Sequence, residues 1–322
     1  MPVQWMSDES GRPLRRGLAG ALALCVVTAL LLPVGWACQK QVADHDSQAA
    51  RPIVDSVLAA DGSMIYYVAA GTGDSALVFV HCWSCDRGYW DGQVDALASD
   101  YRVVAIDLAG HGQSRAARDS WLMSDYAGDV EAVIRKLDLQ PVVLVGHSMG
   151  GAVVIEVARR MPDRVTAVIG VDVYQDLSYQ MSEEEVEGFL AGLVQDYEGA
   201  TKAFVRSLFL PDADSALVAR VAADMAAAPP AIAVPSLRHV LRYDAATVLQ
   251  EMRKPVRGIH SDAYPTNVEA NQATAESFAV RYMPGRGHFL QLEDPVTFNR
   301  LLRETIDEFW PARAGSEAAG RE

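Results

Sequence analysis

Val142 to Gly151 reads VVLVGHSMGG, and no other stretch restricts the fold as severely. Four apolar, mostly β-branched residues suit a buried strand, and Gly151-Ala152-Val153-Val154 opens a helical pattern. Between them stands Gly146-His147-Ser148-Met149-Gly150, with the spacing G-x-S-x-G. A strand that becomes a helix within so few residues must bend sharply. That bend puts Ser148 in a strained backbone conformation and lifts its hydroxyl clear of the sheet. Glycine is needed on both sides, because a Cβ at 146 or 150 would collide with the neighbouring strand or helix. The first N–H groups of a helix lack partners within it and point at whatever the serine attacks. Met149, directly after the serine, is therefore expected to give one donor to a developing oxyanion.

The flanking chain supplies a matching frame. Ser56 to Ala60 and Met64 to Ala69 alternate in character around Asp61-Gly62, which predicts a hairpin. Ala76–Val80, Arg102–Leu108, Val165–Val171, Pro255–His260 and Phe278–Met283 read as further strands, the first three of them mostly apolar. Helical patterns over 89–98, 124–137 and 151–160 alternate with them. Strand alternating with helix predicts a mostly parallel sheet covered by helices on both faces. From 173 to 252 the pattern changes to helix throughout. Ser182, followed by three glutamates, reads as a helix start, with further helices over 197–208, 215–227 and 236–242 and breaks at Pro211 and Pro229-Pro230. Phe189, Leu193, Phe204, Phe209 and Met225 are this insertion's apolar candidates for a pocket wall. Asp294-Pro295 opens a last helix through Trp310.

Carried by this elbow, its strands and the residues 288 and 107–114 below, the chain resembles the α/β-hydrolase superfamily from about Ser56 to Trp310. The resemblance implies an α/β fold with a domain over 53–310 and a helical cap, 173–252, inserted between strands 6 and 7. It also implies the chain order nucleophile, acid, histidine. His288, in the turn GRGHF after the last strand, matches the family's base. The acid implied by the loop after the next-to-last strand is Asp262, two residues earlier than alignment on Pro255 would place it. The alternative is Asp172, at the end of the preceding strand, a position some lipases use. The second oxyanion donor falls on Trp83, in a loop where the family usually has His-Gly and this chain has His81-Cys82. Asp107, Gly110, Gly112 and Ser114 match a structural turn of the family, and His81 and His111 are expected to brace backbone. His147, the variable residue of the elbow, is expected to be packed or hydrogen-bonded.

The remaining features concern the ends, the charge and the cysteines. Arg12, Arg15 and Arg16 followed by the apolar run Gly17–Leu32 read as an export signal over residues 1–37. Cleavage after Ala37 gives a soluble periplasmic or secreted chain, or lipidation of Cys38 gives a membrane-tethered lipoprotein; both readings stay open. Residues 38–52 read as a tether and 311–322 as a disordered tail. A net charge of −14 argues against nucleic acid as a partner. Cys82 and Cys85 could form a disulfide in an oxidising compartment, although two small packed thiols are the simpler reading.

The implied activity is that of a serine hydrolase acting on small or medium carboxylic esters through an acyl-enzyme, with no metal and no organic cofactor. Lactone hydrolysis, carbon–carbon hydrolysis and cofactor-free perhydrolysis use the same triad. Dehalogenase and epoxide hydrolase chemistry uses an aspartate where Ser148 stands. Two rivals of other classes are a ligand-binding or signalling protein on this scaffold and a redox protein using Cys82 and Cys85.

Overall fold

The computed structural model describes residues 52–310. The expected signal segment, Cys38, nearly all of the tether and the tail lie outside these residues.

Eight strands form one sheet in the order β1-β2-β4-β3-β5-β6-β7-β8. β1 (Ile53–Leu58) and β2 (Met64–Ala70) form the antiparallel hairpin expected around Asp61-Gly62, with Leu58 opposite Met64. Its turn puts Gly62 at φ +89°, where a side chain would be strained. β2 also runs antiparallel to β4 (Arg102–Ile106), and every other pairing is parallel. β3 (Ala76–Val80) and β5 (Val142–His147) are buried at every position. Their side chains divide between two cores by strict alternation. Val78 and Val80 join one apolar cluster, while Leu77 and Phe79 join the other on the opposite face. A strand covered on both faces has no solvent side to mark with polar residues, hence the continuous apolar runs of the sequence.

The helices supply that cover. α1 (Asp91–Leu97) and α11 (Pro295–Ile306) pack on one face. α2 (Met123–Lys136) and α3 (Met149–Arg160) pack on the other. Between β6 (Val165–Val171) and β7 (Val256–Ser261) the chain makes five helices and no strand. These are α4 (Glu183–Gln195), α5 (Tyr197–Ser207), α6 (Ser215–Ala226), α7 (Pro230–Leu241) and α8 (Ala245–Met252). The start of α4 is a reciprocal cap: Ser182 accepts from the Glu185 N–H, and the Glu185 carboxylate accepts from the Ser182 N–H at 2.7 Å.

One helix begins earlier than the sequence suggests. α7 starts at Pro230 rather than Ser236 and runs through Pro235. Pro230 stands at the first helical position, where its missing N–H costs nothing. Pro235 forfeits one bond inside the helix. The next residue, Ser236, is tied back by donating to the Ile232 carbonyl at 2.6 Å, and its oxygen pairs with the Tyr126 hydroxyl at 2.8 Å.

β8 (Ala279–Met283) follows α9 (Val268–Thr274), and a single turn, α10 (Leu290–Glu293), precedes α11. In the register of the sheet His147 lies beside Val171, and Val171 beside Ile259. The residues just past these positions, Ser148 and Asp172, therefore emerge side by side at the carboxyl edge of the parallel strands. Sites of this fold class lie at that edge.

Candidate active site

The turn after β5 has the geometry its sequence demands. Ser148 sits at φ 53°, ψ −117°, a conformation that costs a non-glycine residue about 1–3 kcal/mol. A Cβ on Gly146 would strike the Gly150 carbonyl, and one on Gly150 would come within 2.7 Å of the His81 carbonyl oxygen. Only glycine at both positions lets the strand, the serine and α3 come this close. Met149 opens α3, so its N–H belongs to the unsatisfied first turn.

His288 lies in the turn between β8 and α10, and three groups hold it. Its Nδ1 is 2.6 Å from Oδ2 of Asp172. Its backbone N–H donates to the Leu208 carbonyl at 2.8 Å, and its carbonyl accepts from Nε2 of His147 at 2.9 Å. Gly287 makes the first of these backbone approaches feasible. A Cβ there would meet the Leu208 carbonyl oxygen at 2.5 Å and Cα of Phe209 at 2.9 Å.

The carboxylate that meets His288 is Asp172, not Asp262. Asp172 is fully buried, with Oδ2 toward the imidazole and Oδ1 accepting the Ser261 N–H at 2.9 Å. Burial opposes its ionisation, but the bonds from His288 and from the Ser261 N–H outweigh that penalty. Its pKa lies below the ordinary carboxylate range. Asp262 sits beyond the end of β7, exposed, and accepts the Gly285 N–H at 2.9 Å. It steadies the turn that carries His288 without touching the ring. The physical reason is lateral. β6 is hydrogen-bonded to the nucleophile strand β5, whereas β7 lies one strand farther out.

Ser148, Met149, Asp172, His288, Cys82 and Trp83 share the wall of one cavity of about 450 Å³. The rest of its lining is mostly apolar and includes Val173, Phe204, Leu208, Met225 and Leu237, with Gln175 and Tyr264 as polar exceptions. Of the five apolar candidates from the cap, Phe204 and Met225 reach the cavity. Phe189 packs edge-on against Phe204, and Phe209 stacks on Phe289 with centroids 5.0 Å apart. Leu193 is buried within the cap core.

Cys82 and Cys85 are joined by a disulfide rather than packed as free thiols, and Trp83 lies inside the small loop it closes. The Trp83 indole N–H donates to the Ala233 carbonyl of α7 at 2.7 Å, tying this loop to the cap. His81 and His111 are buried against backbone as expected. His81 Nε2 accepts the Leu108 N–H at 3.1 Å, and His111 Nδ1 is 3.2 Å from the Ala109 carbonyl.

The elbow's variable residue does more than fill space. His147 bonds the His288 carbonyl through Nε2 and meets the Gln291 side-chain amide at Nδ1, 3.2 Å away. Its ring centroid is 4.6 Å from that of His288. Burial, reinforced by the neighbouring His288 ring, lowers its pKa to about 3, so it is neutral at any working pH. Nothing in the spacing G-x-S-x-G marks this role, because the partner Gln291 lies 144 residues away. Among the described residues, no group of three or more His, Cys, Asp or Glu side chains is placed to hold a metal ion. A strained serine, an imidazole backed by a buried carboxylate and a helix N-terminus facing one apolar cavity form a set suited to acyl transfer.

Comparison with known proteins agrees with the fold. A family described as having the alpha/beta hydrolase fold matches residues 75–226. A non-heme haloperoxidase of Rhodococcus erythropolis is 37% identical over 160 residues, 48% of this chain and 57% of that protein. The dihydrolipoyllysine-residue acetyltransferase component of the acetoin cleaving system of Pseudomonas putida is 35% identical over 155 residues, 48% of this chain and 40% of that protein. The chain thus spans about half the length of these two relatives. Among solved structures, the N-acyl homoserine lactone degrading enzyme Est816 superposes with a TM-score of 0.67 at 25% identity, covering 78% of this chain and 99% of that one.

Proposed function

For a chain that belongs to the α/β-hydrolase superfamily, we propose that this one is a serine hydrolase cleaving small or medium carboxylic esters through an acyl-enzyme. The observation that carries the reading is the 2.6 Å pairing of His288 with the buried Asp172, on the wall of the cavity that also contains Ser148. His288 Nδ1–H donates to the carboxylate, which leaves Nε2 free to take the Ser148 proton. The serine oxygen attacks the ester carbonyl, and the N–H groups of Met149 and Trp83 receive the oxyanion. The imidazolium, held by Asp172, then protonates the departing alcohol. Water gives a proton to the same histidine and attacks the acyl-serine, and the histidine returns that proton to the Ser148 oxygen as the bond to it breaks and the carboxylic acid leaves.

The cavity favours uncharged substrates. Among the described residues, Asp172 is the only carboxylate in its lining, and no lysine or arginine is there to pair with an anion. Its volume suits a short or medium acyl chain, not a folded polymer. A cyclic ester passes through the same steps, and the likeness to a lactone-degrading enzyme supports a lactone as the second reading.

Steady-state hydrolysis of a p-nitrophenyl ester series from acetate to decanoate, with several lactones alongside, tests both. The parent should turn over short to medium esters, and Ser148→Ala should lose at least about 10³-fold in kcat while melting as the parent does. Turnover retained in Ser148→Ala removes the mechanism.

A further inference from the structure

We propose that His147 is a positioning residue for the base: it anchors the main chain of His288 so that the imidazole stays paired with Asp172 on the cavity wall it shares with Ser148. The proposal rests on the serine hydrolase reading and assigns a role to the variable residue of the elbow.

The turn that carries His288 needs such an anchor. It contains Gly285, at φ +71°, and Gly287, residues that restrict the backbone least. The Asp172 bond acts on the ring and the Leu208 carbonyl on the N–H. His147 completes the set by taking the carbonyl, at 2.9 Å. Of these three anchors only His147 comes from the strand that carries the nucleophile. It therefore fixes the base relative to the serine one residue away, whereas Leu208 belongs to the cap.

The bond has a defined direction. The Gln291 side-chain N–H donates to Nδ1 of His147 at 3.2 Å. Nδ1 is thus the acceptor, and the ring proton sits on Nε2, aimed at the His288 carbonyl. Gln291 is itself held, its backbone carbonyl taking the Gln93 amide at 3.5 Å, while Gln93 also donates to Asn299 at 2.9 Å. His147, Gln93 and Gln291 are all buried. A phenylalanine would fill the volume of His147 but offer no donor, leaving the His288 carbonyl without this partner.

Two variants and two readouts decide the matter. In His147→Phe, kcat for a p-nitrophenyl ester should fall about 10- to 100-fold with KM changed less than about twofold. The second-order rate of labelling by a fluorophosphonate should fall by the same factor. In His147→Gln, whose amide N–H reaches the place of Nε2–H, kcat should stay within about threefold of the parent. Parental kcat in His147→Phe overturns the proposal, and so does equal loss in the Phe and Gln variants. If His147→Phe does not fold, Gln291→Met decides: a fall in kcat at constant KM supports the anchor, and parental kcat contradicts it. A parent that neither labels nor turns over would instead overturn the hydrolase reading itself.

Discussion

At the scale of single residues, the identity of the carboxylate that pairs with His288 is the finding that reaches furthest. Asp172 and Asp262 both lie near the His288 turn, but Asp172 alone contacts the ring, while Asp262 takes the Gly285 N–H. Replacing Asp172 with asparagine removes the charge that steadies the imidazolium and frees the ring tautomer. Loss of kcat should be about 10²- to 10⁴-fold for Asp172→Asn and under about threefold for Asp262→Asn, measured on one ester at pH 8. The reverse ranking would restore Asp262. The positions of Ser148 and His288 were legible because each sits in a short local pattern, glycines around a turn between regular elements. The carboxylate partner of His288 was not, since choosing between two aspartates requires knowing which strand neighbours β5. That is a fact of sheet order, which a linear pattern does not contain. A signal was present all the same. Asp172 follows a wholly apolar strand end, and a carboxylate at 2% exposure needs a partner.

At the scale of elements, the cap and the histidine turn form one mechanical unit. Leu208 receives the His288 N–H, Phe209 stacks on Phe289, and Gly287 leaves no room for a side chain between them. Gly287→Ala would push the α5–α6 connection away from the turn. We expect kcat to drop at least about tenfold and the melting temperature to fall by several degrees, since a displaced catalytic group is costly and a forced methyl adds strain. Parental values of both would show that cap and turn are independent. The buried strands were legible from their continuous apolar runs and the hairpin from Asp61-Gly62. The start of α7 was not, because Pro235 reads as a helix breaker, and the contacts of Ser236 that offset it come from Ile232 and distant Tyr126.

At the scale of the whole molecule, burial of neutral imidazoles sets the response to acid. Burial lowers the pKa of His81 and His260 to about 4 and of His111 and His147 to about 3. In the unfolded chain each returns to about 6.5. Between those limits the unfolded state binds more protons than the folded one, so stability falls as pH falls. The raised carboxyls of Asp86, Asp91 and Asp129 act in the opposite sense, while the lowered carboxylates of Asp55, Asp61 and Asp172 act in the same sense as the four imidazoles. Melting temperature should be level from pH 8 to 7 and decline steadily from about pH 6.5 toward pH 4. A protein that melts higher at pH 5 than at pH 7 would contradict this. The central claim, that one strained serine is activated by an imidazole from far along the chain, has a still more direct test. Purified protein is treated with a fluorophosphonate, its intact mass taken and the adduct mapped by peptide sequencing. A single adduct on Ser148, absent from Ser148→Ala and sharply slowed in His288→Ala, is the expected result. No adduct, or one on another residue, would contradict it.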